Sequence, residues 1–132
     1  MTKQISLFLE NKNGRISEVA RTLGENGINM KAFSMTETPD FGILPIVVSD
    51  LEKAVMVLND ANFAVSITDV VCIECSDRPG ALADVLECLA SEDIGINYMY
   101  AFSEGNLAKF VIKPNDIEKC EAALKKGGCT IV

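Results

Sequence analysis

Val71-Cys72-Ile73-Glu74-Cys75-Ser76-Asp77-Arg78-Pro79-Gly80 restates, 66 positions on, the pattern of Ile5-Ser6-Leu7-Phe8-Leu9-Glu10-Asn11-Lys12-Asn13-Gly14. Each segment runs from alternating apolar residues, the period of a half-buried strand, into a polar turn closed by glycine. The same shift lays Ser49-Asp50-Leu51-Glu52-Lys53-Ala54 on Asn115-Asp116-Ile117-Glu118-Lys119-Cys120. Between these anchors Gly27-Ile28-Asn29 is matched with Gly95-Ile96-Asn97 at an offset of 68. That match predicts two extra residues before the second strand of the second copy and two fewer in the hairpin that follows. Such changes belong in turns, where insertions cost least.

Each copy then shows one order of elements. After the first strand, Ile16, Val19, Ala20 and Leu23 recur at helical spacing, and Leu82, Val85, Leu86 and Leu89 repeat the stripe. Gly24 and Gly27 are placed to end the first helix. Hairpins follow over 29–48 and 97–113, turning at Thr38-Pro39-Asp40 and at Glu104-Gly105-Asn106. Ser49 with Glu52, and Asn115 with Glu118, read as capping boxes that open a second helix. Leu51, Ala54, Val55 and Leu58 face inward there, as do Ile117, Cys120 and Leu124 in the other copy. Closing strands near 63–67 and 129–132 complete β-α-β-β-α-β twice, an α+β fold of two ferredoxin-like units in tandem. The boundary falls at 1–69 and 70–132, with almost no linker. Pro45, inside a strand that the topology makes interior, predicts a local bulge or a missing ladder bond.

Composition narrows the function. The 132 residues carry 12 basic and 19 acidic side chains, a net charge of −7, which argues against non-specific binding of nucleic acid. That charge divides as −3 over 1–69 and −4 over 70–132, so neither copy is a basic docking tail. No run of about 18 apolar residues exists to span a membrane, and the N-terminus lacks the blocks of a secretory signal. Histidine is absent, which removes the commonest general base and metal ligand. Five cysteines without a secretion signal point to free thiols in the cytoplasm. Cys72 and Cys75 form a C-x-x-C on a strand, which sends them to opposite faces, and no second pair accompanies them to hold zinc. Asp40-Phe41-Gly42 matches the kinase metal-binding tripeptide without its companion loops and is read as coincidence. Tyr98, Tyr100 and Phe102 share one strand face and read as packing rather than a base-stacking platform.

The strand, then Asp77-Arg78-Pro79-Gly80-Ala81-Leu82, then a helix and Gly95-Ile96-Asn97, is similar to the pattern of ACT domains. Residues 40–48, followed by Ser49-Asp50-Leu51-Glu52-Lys53-Ala54, also resemble the middle of that family. The resemblance covers nearly all of both copies, departing at Asn13, where proline is usual, and at Pro45, where a basic residue is common. It implies a stand-alone tandem ACT protein that binds a small amino acid at the interface between its ACT-like domains. It also implies side-by-side pairing into an eight-stranded sheet with helices on one face. A biosynthetic enzyme as partner, a homodimer, and no catalytic residue, cofactor or metal complete that expectation.

The candidate ligand residues are Asn11, Lys12, Asn13, Gly14, Arg15, Ile16 and Asn29 in the first copy. In the second they are Asp77, Arg78, Pro79, Gly80, Ala81, Leu82 and Asn97. A glycine turn lets backbone approach a ligand, and a first helical turn offers unpaired N–H groups to a carboxylate. Lys12 or Arg78 can add positive charge, and Asn11 or Asp77 can accept from an α-ammonium group. Asn29 and Asn97 come from the family resemblance. The same Asx residues also order turns by themselves, and the charges equally suit a solvated surface. Two rivals remain. One is a hydrolase of the acylphosphatase type, for which Arg78 and Asn97 supply residue types but their duplication as Lys12 and Asn29 does not suit a single site. The other is a regulatory subunit of a biosynthetic enzyme with no ligand of its own.

Overall fold

Each described helix ends the same way, and the endings fix how the elements are spaced. The computed structural model describes residues 2–10, 13–37 and 40–132, with Glu37 described by its backbone alone. In order they form β1 (Thr2–Glu10), α1 (Arg15–Glu25), β2 (Met30–Phe33), β3 (Thr36–Glu37), β4 (Phe41–Val48) and α2 (Leu51–Asp60). Then come β5 (Ala64–Ser76), α3 (Ala81–Ser91), β6 (Ile96–Glu104), β7 (Leu107–Pro114), α4 (Ile117–Lys126) and β8 (Thr130–Ile131). After α1, the N–H of Ile28 bonds to the Leu23 carbonyl and that of Gly27 to Gly24, the paired bonds of a Schellman motif. Phe63 and Asn62 repeat this after α2, Ile94 and Asp93 after α3, and Cys129 and Gly128 after α4. The left-handed residue is in turn Gly27, Asn62, Asp93 and Gly128. Each motif turns an apolar residue (Ile28, Phe63, Ile94, Cys129) back beneath the last helical turn.

The chain divides into two units, one of Lys3–Thr68 and one of Asp69–Val132 together with Thr2. The break falls inside β5. In the first unit β1 lies between β4 and β5, with Ser6 Oγ 2.9 Å from Thr68 Oγ1, and β4 pairs in turn with β2 and β3. In the second unit β5 lies between β8 and β7, and β7 pairs with β6. Both are the last-first-third-second order of a ferredoxin-like sheet. Ile5, Leu7 and Leu9 of β1 meet Val19 and Leu23 of α1 and Ala54 and Leu58 of α2 in one core. Val71 and Ile73 meet Val85, Leu89, Cys120 and Leu124 in the other. Both helices of each unit therefore cover one face of its sheet. The apolar stripes are narrower than the spacing suggested: Ala20 is exposed, Leu82 is 39% exposed, and Leu86 is half-buried.

The offset between copies is 66 throughout, which corrects the 68-residue match. Ile28 and Ile94 close equivalent Schellman motifs. Ser49 N–H bonds to the Asn29 carbonyl as Asn115 N–H bonds to that of Gly95. A bulge falls between Met30 and Ala32 in one copy and between Ile96 and Tyr98 in the other. Asn97 therefore corresponds to Lys31, and Asn29 to Gly95. Recurrence of the letters Gly-Ile-Asn misled because αL residues at the helix ends differ, Gly27 against Asp93.

The capping boxes are corrected too. Asp50 and Asp116, one residue past Ser49 and Asn115, accept from the N–H groups of Lys53 (3.2 Å) and Lys119 (3.1 Å). Ser49 Oγ instead accepts from Asn29 N–H at 3.0 Å, tying the start of β2 to the start of α2. The ladder break expected at Pro45 is present. Ser34 N–H donates to the Pro45 carbonyl at 3.1 Å. The return bond of that pair is the one proline cannot make. The edge strand is accordingly split into β2 and β3 around Ser34 and Met35, whereas its counterpart β6 runs unbroken over nine residues. No register shift accompanies Pro45; the bulge at Lys31 recurs at Asn97 in the second copy, where Val111 stands in place of Pro45.

Candidate functional site

The two strand-to-helix turns share one backbone device. Gly14 (φ 89°, ψ −5°) and Gly80 (φ 88°, ψ −11°) are the N-caps of α1 and α3, both left-handed. Among the described residues nothing lies within 4 Å of a Cβ built at Gly14, and at Gly80 the nearest atom, Arg78 Nη1, is 3.5 Å away. The conformation, not crowding, is what demands glycine. Among the described residues no side chain caps either helix, whereas both second helices are capped by aspartate. In α3 the Ala81 N–H bonds to the Arg78 carbonyl at 3.2 Å, and the positive end of each helix dipole faces its turn.

Around that shared backbone the side chains differ. Asn11 and Lys12 lie outside the described residues. Asn13 and Gly14 are exposed, and Ile16 packs partly against the first core. Arg15 lays its guanidinium 4.7 Å above the Phe63 ring and donates to Glu18 at 2.6 Å. Its Nε is buried with no hydrogen-bond partner among the described residues. In the second unit Ala81 stands where Arg15 does and Cys129 where Phe63 does. The space they vacate is a cleft of about 320 Å³, floored by Ile73 and Cys75 and walled by Arg78, Asp84 and the Gly127-Gly128 turn. Among the described residues the first unit has a groove of about 390 Å³ along α1 from Ser17 to Thr22, lined also by Ala61 and Phe63.

Arg78 is engaged at the mouth of the cleft. Its Nη2 donates to Asp84 at 2.5 Å and its Nη1 to the Pro79 carbonyl at 3.2 Å. Asp77 is exposed, and its N–H bonds to the Asn106 carbonyl at 3.3 Å, which fastens the turn to the β6–β7 hairpin. Pro79 and Gly80 are exposed, Ala81 is buried, and Leu82 projects outward. The turn thus gathers Asp77 through Leu82 but not Asn97. Ser76 pairs with Leu107 and Ile96 with Pro114, so Asn97 stands seven β7 residues away, roughly 23 Å along the strand. Asn29 is separated from its own turn in the same way, since Glu10 pairs with Phe41 and Met30 with Val48. Within one unit Arg78 and Asn97 cannot share a reacting centre, which removes the geometry an acylphosphatase-type site would need. Asp84 and the Arg15–Phe63 stack escaped the sequence reading; an acidic residue in the first turn of α3 was the only available signal for the former.

Cys72 and Cys75 do point to opposite faces: Cys75 lines the cleft, while Cys72 pairs across β7 with Val111. Neither is in a disulfide. Among the described residues no helix is long and apolar enough to cross a membrane, and no group of His, Cys, Asp or Glu is arranged to hold a metal ion.

Two ferredoxin-like units, each opening its first helix at an uncapped glycine turn, define a class of small tandem α+β modules. The family model of the ACT domain pair matches residues 1–127, and the chain belongs to that family. It is 47% identical to a protein from Bacteroides thetaiotaomicron of known crystal structure, over 99% of this chain and 91% of that one, with a TM-score of 0.92. It also shares its fold with the regulatory subunit of aspartate kinase from Thermus thermophilus, solved in a ligand-free form. That match has 18% identity over 96% of this chain and 89% of that one, with a TM-score of 0.69. The corresponding subunit from Thermus flavus matches at 18% identity over 96% and 90%, with a TM-score of 0.64. No curated protein is significantly similar to the chain.

Proposed function

We propose that this chain is a non-catalytic regulatory protein that binds a small amino acid at the interface between ACT-like domains and so acts as a metabolic sensor. The observation that carries the reading is the selective lack of caps. Asp50 and Asp116 cap the second helix of each unit, while Gly14 and Gly80 give α1 and α3 no side-chain cap; in α3 the Ala81 N–H bonds to the Arg78 carbonyl, which leaves the N–H groups of Leu82 and Ala83 for a ligand. A ligand carboxylate takes the place of the missing cap. In the second unit Asp77 and Asp84 stand near enough to that turn in sequence to receive an α-ammonium group, and the cleft beneath Ala81 has room for a small side chain. Asn11, Lys12, Asn13, Arg15, Ile16 and Asn29 form the weaker candidate site, because Arg15 occupies the equivalent space.

Signalling follows if the ligand contacts two arrangements of the protein unequally. A cytoplasmic biosynthetic enzyme that reads the arrangement, and homodimerisation of the chain, belong to the same proposal. It draws support from family membership and from the fold shared with aspartate kinase regulatory subunits. Thermal denaturation with each common amino acid in turn is the test. A ligand at about 100 times its dissociation constant adds roughly 2.7 kcal/mol, a rise of several degrees in Tm. Ala81→Arg, which copies the first unit's filled cleft, is expected to abolish the rise from the second site. If no amino acid moves the Tm, the sensing function fails.

A further inference from the structure

Two Asn-Gly dipeptides occur in the chain, Asn13-Gly14 and Asn26-Gly27, both in the first unit. An asparagine amide followed by glycine is open to attack by the next backbone nitrogen, because glycine has no Cβ to obstruct the approach. The fold holds the two dipeptides differently, at opposite ends of α1. Asn26 is half-buried; its Nδ2 donates to the Thr22 carbonyl at 2.7 Å and its N–H to the Leu23 carbonyl at 3.1 Å. The nitrogen that would attack it, that of Gly27, donates to the Gly24 carbonyl at 3.1 Å within the Schellman motif. Both reacting groups are thus tied. Asn13 and Gly14 are exposed, and among the described residues neither the Asn13 amide nor the Gly14 N–H has a hydrogen-bond partner. The Gly14 carbonyl alone is engaged, by Glu18 N–H at 3.0 Å. The Gly14 nitrogen also stands at the head of α1, where the positive end of the helix dipole favours the negative charge that the attack develops. In the second unit Pro79 and Asp93 replace Asn13 and Gly27, so neither dipeptide recurs.

We propose that Asn13 is a site of spontaneous deamidation, converting in the folded chain to aspartate or isoaspartate while Asn26 is protected. The Gly14 nitrogen attacks Asn13 Cγ and gives up its proton. The Cγ–Nδ2 bond breaks, and ammonia leaves carrying that proton. One water then opens the cyclic imide. Opening at one carbonyl gives aspartate; opening at the other gives isoaspartate, in which the main chain runs through the former side chain. Asparagine and water become a carboxylic acid and ammonia, so no oxidant or reductant enters. Either product sets a carboxylate against the positive end of α1, where Pro79 can place none beside α3. Isoaspartate also lengthens the backbone by one atom just before the left-handed Gly14. The conversion therefore acts on the first-unit turn alone and sets the two turns apart in charge. It needs no amino-acid ligand, so it stands or falls apart from the sensing function.

The full chain is incubated in mildly alkaline buffer, native and in urea, and its peptides are mapped by mass spectrometry over time. Isoaspartate is read separately by enzymatic carboxyl methylation. In the native chain Asn13 is expected to convert about tenfold or more faster than Asn26, whose tying hydrogen bonds must open first. In urea the two rates are expected to converge. Asn13→Pro, which copies the second unit, is expected to remove the native-chain isoaspartate, measured once its circular dichroism matches that of the wild type. Conversion of Asn26 at the rate of Asn13 in the native chain would overturn the assignment. So would an intact native Asn13 after the urea sample has converted, or an isoaspartyl signal undiminished in the folded Asn13→Pro chain.

Discussion

The two units carry the same backbone and fill it differently. Residue for residue at a constant offset of 66, they place a left-handed glycine before an uncapped helix. The first unit then lays Arg15 over Phe63, and the second leaves Ala81 and Cys129 lining a cleft. The difference teaches that the turn is a property of the fold, while ligand space beside it is set by two side-chain volumes. Duplication preserved the donors and let the cavity diverge.

The largest test of this comparison concerns the shared part. Leu23 and Leu89 occupy matching core positions, 0% and 1% exposed. Leu23→Ala and Leu89→Ala are each expected to cost about 2–5 kcal/mol in urea denaturation. Loss of less than about 1 kcal/mol at either position would show that the two cores are not equivalent. Next comes the glycine turn. Gly14→Ala and Gly80→Ala force an L side chain into the left-handed region, at about 1–2 kcal/mol each, and circular dichroism melts would register equal losses in the two units. A neutral result at either turn would mean that its backbone is not held left-handed.

These cores and turns were legible because they rest on local rules. Alternation in 5–9 and 71–75, and glycine before each helix, leave few other readings. The Asn29–Asn97 equivalence failed because the αL position after a helix accepts Asp93 as well as Gly27, so matching by glycine shifted the copies by two. The cap was misplaced from Asp50 to Ser49 because both residues can cap, and only the Asn29–Ser49 bond decides between them. The cleft was invisible for another reason. It arises where Ala81 and, far along the chain from it, Gly127 and Cys129 each omit volume at one place.

Smaller effects sharpen the remaining differences. Asp93→Gly relieves a left-handed aspartate but adds backbone freedom to the unfolded chain, so a gain of about 0.5 kcal/mol is expected, and Gly27→Asp should lose a similar amount. Equal denaturation midpoints for wild type and both variants would deny that the two Schellman motifs differ in strain. Smallest in energy is Pro45→Val. A restored ladder bond contributes about 0.5–1.5 kcal/mol, and loss of proline's stiffness in the unfolded chain offsets about 0.4–1 of it. Its readout is hydrogen exchange, in which a new, slowly exchanging amide at position 45 should join β2 to β3; fast exchange there would show that proline is not what splits the strand.

Backbone amide NMR of the intact chain with a mixture of the common amino acids at millimolar concentration tests the central claim most directly. The account predicts that amides of Gly80, Ala81 and Leu82 shift on addition, those of the equivalent first-unit turn shift less, and the Asp116-capped first turn of α4 stays still. Unchanged resonances over 80–82, or changes confined to α4, would contradict it.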